Sequence, residues 1–96
     1  MIKPAFYTFR LYLAGDTPNS TQARANLRAI CRAHLPDCHK IEEVDVMREP
    51  NRALTDGIYM TPSLIKLGPS PVRMIVGTLS RTDSVLEAIG LGQASG

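Results

Sequence analysis

Thiols and imidazoles are the first groups to weigh, and the 96-residue sequence has two of each, Cys31 with Cys38 and His34 with His39. Metal binding would need them in close pairs, and nucleophilic catalysis would need a companion acid or base at a defined spacing. Neither pattern is present, so the cysteines read as packing residues and the histidines as structural or solvated ones. The remaining polar residues offer no defined acid pair, no phosphate-binding glycine loop and no helical histidine pair. Arg24, Arg28 and Arg32 recur every four residues and predict one ridge of like charge on a helix. A partner can use such a ridge, although a solvated helix face has the same spacing. No aromatic residue interleaves with the arginines, and the net charge is only +2, which argues against nucleic acid or a membrane surface as partner.

The elements that must carry these groups follow from periodicity. Odd positions from Ala5 to Leu13 are apolar while Thr8 and Arg10 alternate with them, predicting a first strand. Ala14 to Ser20 collects turn and cap residues, with Thr17 or Asn19 as cap and Pro18 suited to a first helical turn. The helix that follows buries Ala23, Leu27, Ile30, Cys31 and either His34 or Leu35, and ends at Pro36. His39 to Met47 predicts a second, less regular strand with a bulge, and Pro50 or Asn51 opens a short helix with Ala53 and Leu54 inward. Pro62 cannot donate to a sheet ladder, so it marks the start of a strand over Ser63 to Leu67, and Thr61-Pro62 is a candidate cis bond. Gly68-Pro69-Ser70-Pro71 is a stiff hairpin loop before Val72 to Val76. Ser80-Arg81-Thr82-Asp83 resembles a capping box for a last helix that buries Val85, Leu86 and Ile89 and stops at Gly90 and Gly92.

Strand, helix, strand, helix, Thr-Pro, strand, strand, helix is the βαβαββα order of a thioredoxin-like α/β fold, with a parallel right-handed first crossover. The length fits a single domain over residues 1–96, with a core from about 5 to 91 and a frayed tail. Met1-Ile2-Lys3-Pro4 has no long apolar run and no segment approaches a membrane span, so a cytoplasmic protein is expected. A thioredoxin-type enzyme holds its cysteines where the first strand meets the first helix, and here that place reads Thr17-Pro18-Asn19-Ser20. Disulfide exchange is therefore not expected, nor any cofactor, and the reading is a binding module rather than an enzyme.

Several short segments then occur in a fixed order: Leu11 to Ser20, Val44-Asp45-Val46, Thr61-Pro62-Ser63-Leu64, Pro71-Val72-Arg73 and Ile75 to Ser80. Over roughly Phe6 to Leu91 the chain resembles the KaiB family of cyanobacterial circadian clock proteins. The resemblance implies binding to the KaiC ATPase ring, capture of KaiA, and timing of a phosphorylation cycle; the alternative is a divergent paralogue that docks on a sensor histidine kinase or a stress-pathway protein. It also implies two folds: a ground state with a rearranged C-terminal half, and a monomeric thioredoxin-like binding state. X-Pro isomers at Pro62, Pro69 and Pro71 would slow their exchange. Partner contact is implied for Arg24, Arg28, Lys40, Glu42 and Arg73, and a role in the change of fold for Thr61, Pro62, Pro69, Pro71, Ala88 and Gly90.

Measured against that family, Glu42 stands where a basic residue is common, Glu43 where valine is common, and Gln22 and Met74 each replace an arginine. A reversed charge at an interface can cost several kcal/mol, so Glu42 bears on KaiC binding. Ala88 and Gly90 stand where the family has Gly and Asp, and alanine in place of glycine favours helix by up to about 1 kcal/mol. The acidic tail of many members is replaced by Gly92-Gln93-Ala94-Ser95-Gly96. These features predict a protein resting in the thioredoxin-like form as a monomer or weak dimer. Backbone chemical shifts in solution check this: residues Ser80 to Ile89 are expected to be helical, and strand-like values would indicate the rearranged fold.

Overall fold

The structure is a computed structural model that describes residues 5–92. The expectations for Met1-Ile2-Lys3-Pro4 and for the tail from Gln93 lie outside the described residues. Seven elements follow in order: β1 (Tyr7–Leu13), α1 (Pro18–His34), β2 (His39–Asp45), α2 (Pro50–Thr55), β3 (Ser63–Gly68), β4 (Arg73–Val76) and α3 (Thr82–Ala88). They form one four-stranded sheet in the order β2-β1-β3-β4. β1 runs parallel to β2 and antiparallel to β3, and β3 is antiparallel to β4. This is the predicted thioredoxin-like α/β arrangement.

β1 is interior, with a neighbouring strand at each edge, and both of its faces are covered. Tyr7, Phe9, Leu11 and Leu13 face a core shared with Ala23, Leu27, Ile30 and Cys31 of α1 and with Val85 and Ile89 at α3. Tyr12 faces the other way, into a smaller core with Val44, Ala53, Ile58 and Ile65. The sheet therefore carries α1 and α3 on one side and α2 on the other.

Pro18 occupies the first turn of α1, and Leu35, not the exposed His34, completes its buried stripe. All three of Thr61-Pro62, Gly68-Pro69 and Ser70-Pro71 are cis, and Pro62 is buried at the head of β3. Gly90 ends the last helix at φ 91, a left-handed conformation that glycine adopts without a Cβ clash. The Leu91 N–H donates to Leu86 O at 2.7 Å and the Gly90 N–H to Glu87 O at 3.2 Å, the paired bonds of a Schellman cap.

Five local expectations are corrected. β2 pairs with β1 in unbroken register from Tyr7↔His39 to Leu13↔Asp45, and the irregularity lies in the β1–β3 pairing between Thr8 and Phe9. β1 begins at Tyr7 rather than Ala5, and β4 begins at Arg73 rather than Val72. Leu54 is 70% exposed, because α2 is only six residues long and buries Ala53 as its one apolar contact with the core. The Ser80 capping box does not form: the Ser80 hydroxyl accepts from Thr78 Oγ1 at 3.2 Å, Arg81 is the N-cap, and no side chain caps the helix.

The burial contrast gives a stability test. Leu27 is fully buried between α1 and the sheet, so Leu27→Ala is expected to cost about 3 kcal/mol, within the usual 2 to 5 for such a truncation. Leu54→Ala is expected to cost under about 0.5 kcal/mol. Urea unfolding of the two variants beside the wild type measures both.

Candidate protein-binding surface

The densest polar cluster lies on the α2 side of the sheet, where β1, β2 and α2 meet. Arg10 of β1 bridges two carboxylates, Nε to Glu42 Oε1 and an Nη to Asp56 Oδ2, each at 2.9 Å. Arg52 of α2 reaches the second Glu42 oxygen at 2.9 Å. The buried Tyr12 hydroxyl donates to Asp56 Oδ2 and lies 3.1 Å from the Arg52 carbonyl. Arg10, Tyr12, Arg52 and Asp56, with Asn51 and Thr55, line an open recess of about 300 Å³. The hydrogen bond from Arg52, then that from Arg10, holds the Glu42 carboxyl down at about 2. Burial, then the contact with Asp56, pushes the Tyr12 phenol up to about 12, and the Tyr12 hydrogen bond lowers Asp56. Each charge in the cluster is already paired within the protein, so its effect is to fasten α2 to β1 and β2.

The residues expected to contact a partner do not form one surface. Arg24 Nε and an Arg28 Nη each lie 3.0 Å from an oxygen of Glu43, so one carboxylate of β2 pairs with two members of the arginine ridge. Glu42 is held by Arg10 and Arg52 and is not a free charge on the sheet edge. Lys40 is exposed on the edge strand β2, whereas Arg73 is exposed on β4, the opposite edge. His39 donates its Nδ1–H to the Leu35 carbonyl at 2.7 Å and is structural.

An apolar surface that periodicity did not reveal lies around β4. Met74 and Val76 pair with Ile65 and Ser63 and so share their side of the sheet, the α2 side, yet they remain 46% and 51% exposed. The reason is coverage: α2 is fastened over β1 and β2, and among the described residues no helix reaches β4 on that side. Tyr59 and Met60, just ahead of the cis Thr61-Pro62 bond, are 89% and 65% exposed, and Val72 is 61% exposed. The local signal available was the Pro-bounded loop and short strand, which leave little room for a covering element. Pro69 and Pro71 shape the hairpin at the start of β4, while Ala88 and Gly90 lie at the end of α3, on the other side of the sheet.

A model of the KaiB domain matches residues 10–91. The chain belongs to the KaiB family. The circadian clock protein KaiB3 of a Synechocystis species is 43% identical over 77 residues, covering 80% of this chain and 76% of that protein. The circadian clock oscillator protein KaiB of a Prochlorococcus marinus strain is 40% identical over 85 residues, covering 88% and 73%. Among solved structures, the N-terminal domain of Synechococcus elongatus SasA superposes with a TM-score of 0.74 at 16% identity, covering 99% of this chain and 92% of that one. Chloroplastic thioredoxin z reaches 0.74 at 15% identity, covering 88% and 76%. At such identities these two likenesses establish the fold, and the family rests on the KaiB matches.

Within this KaiB-family chain, the junction of β1 and α1 is built as structure. Ser20 is fully buried, and its hydroxyl oxygen lies 2.9 Å from both the Ala14 N–H and Thr17 Oγ1, which stitches the turn to the helix. Burial pushes the Cys31 thiol up to about 11, the opposite of what a thiolate nucleophile needs.

The Glu42 cluster predicts a pH dependence. The folded state holds the Glu42 proton less tightly than the ordinary value of 4.5, so its contribution is full above that value and fades as pH falls towards about 2. Urea unfolding is expected to show wild type more stable than Glu42→Gln near neutral pH, with the gap closing as the pH approaches about 2. A gap independent of pH would show that the carboxylate charge contributes nothing.

Proposed function

We propose that this KaiB-family protein is a non-catalytic binding module that docks on a KaiC-like ATPase ring and modulates a clock phosphorylation cycle, with KaiA as a further partner. The reading is supported by family membership. The observation that carries it is the exposure of the apolar side chains Val72, Met74 and Val76 at and just before the edge strand β4, together with Tyr59 and Met60 ahead of β3; Arg73, which pairs with Lys66, is exposed on the opposite side of β4. Apolar groups grouped this way on a small domain favour protein contact. The structural role of Ser20 and the buried Cys31 favour binding over turnover.

The protein acts in this reading as a cytoplasmic monomer or weak dimer in its thioredoxin-like form; among the described residues no helix is long and apolar enough to cross a membrane. Gly90 at positive φ and Ala88 within the last helical turn favour that form over a rearranged one. The charge at Glu42, set by two arginines of the same chain, is less of an obstacle to KaiC than a free reversed charge would be.

Co-elution with a KaiC hexamer in its phosphomimetic state tests the proposal. The folded wild type is expected to co-elute, and Met74→Asp, which places a charge in the strip, is expected to weaken the complex at least about tenfold. Absence of a complex with folded wild type would overturn KaiC as the partner and turn attention to docking on a sensor histidine kinase. A complex indifferent to Met74→Asp would keep the partner and reject the strip.

A further inference from the structure

Lys66 sits within β3, paired with Phe9 of β1 on one side and Arg73 of β4 on the other, and is only 3% exposed. A lysine this deeply buried needs partners for its ammonium. Its Nζ donates to the Ile89 carbonyl at 3.3 Å and stands 5.8 Å from the centre of the Tyr7 ring, within range of a cation–π contact. Ile89 is the C-cap residue of α3 and is itself fully buried.

The ends of α3 show what this contact does. Of its C-terminal carbonyls, Leu86 O and Glu87 O are taken by the backbone of Leu91 and Gly90, and Ile89 O is taken by Lys66 from a different element. The N-cap residue, Arg81, makes no side-chain capping bond, and among the described residues the first turn has only the Asp83 carboxylate accepting from the Ser84 N–H at 2.9 Å. A seven-residue helix is too short to hold itself together in water, so its order depends on being docked. Val85, Leu86 and Ile89 supply the apolar part of the docking, and Lys66 supplies the one side-chain hydrogen bond from the sheet to the end of α3 among the described residues. The cation also meets the carbonyl end of the helix, where a positive charge is favoured.

We propose that Lys66 is a latch for α3: its ammonium holds the C-terminal end of the helix on the sheet, and breaking that contact lets residues 82–91 lift as a unit while β1, β2 and α1 stay folded. Lifting uncovers the Lys66 amine together with the apolar bed of Tyr7 and Leu64. Removing the charge leaves the Ile89 carbonyl buried without a donor, which favours the lifted state.

Residue-resolved native-state hydrogen exchange tests the latch. In Lys66→Met the amides of Val85, Ile89, Gly90 and Leu91 are expected to exchange at least about tenfold faster than in wild type, with amides of the β1–β2 ladder unchanged. Lys66→Arg, which keeps a buried donor cation, is expected to stay within about threefold of wild type. Unchanged α3 rates in Lys66→Met, or an equal acceleration at every amide, would overturn the proposal. A measurement on the wild type stands even if the methionine variant does not fold. A soluble N-hydroxysuccinimide ester of acetic acid acetylates a free, unprotonated amine, forming the amide C–N bond and breaking the ester C–O bond, with N-hydroxysuccinimide leaving with the amine's proton. Acetylation of Lys66 is expected to be slowed, relative to exposed Lys40, by the same factor that protects the Ile89 amide. Acetylation at the Lys40 rate, or only as fast as the β1 amides open, would overturn it.

Discussion

The fold depends on β1 being sandwiched on both faces at once. Its neighbours in the sheet are β2 and β3, so its odd-numbered side chains are committed to the core under α1 and α3 and Tyr12 to the core under α2. A slip of one residue in β1 would exchange these sets, putting Arg10 into the larger core and Phe9 towards the recess beside α2. Arg10 adds a second constraint of the same kind, since its two ion pairs are reachable only from the face it occupies. Hydrophobic alternation and charge pairing thus select the same register.

That dual commitment also explains why one side of the sheet is unevenly covered. α1 has seventeen residues and, with α3, serves the larger core, whereas α2 has six and is drawn over β1 and β2 by Arg52 and Asp56. The same ionic cluster that holds α2 in place keeps it away from β4. The apolar strip around Met74 and the polar cluster around Glu42 are therefore two results of one placement, not separate features.

What was legible in the sequence was whatever repeats locally. The alternation of β1, the stripe of Ala23, Leu27, Ile30 and Cys31, and the stop at Gly90 each follow from side-chain spacing or backbone freedom within a few residues. The short motifs from Leu11 to Ser80 were sufficient to place the family. What was not legible depends on residues far apart in the chain. Glu42 and Glu43 look like an exposed charge pair, yet Arg10, Arg52, Arg24 and Arg28 claim them across separations that no periodicity reports. Leu54 failed because six residues are too few to define a buried face, and Ser80 because its hydroxyl had a nearer partner in Thr78.

The brevity of β4 has a consequence for solubility. An open sheet edge bearing Met74 and Val76 invites a second copy to extend the ladder, and a long edge of this composition would seed aggregation. Here Pro71 precedes the strand without a donor N–H, the cationic Arg73 occupies its first position, and Gly77 at φ 122 turns the chain away after Val76. Only four residues are left to template a neighbour, so these three act as gatekeepers that keep a sticky edge from propagating into a fibre.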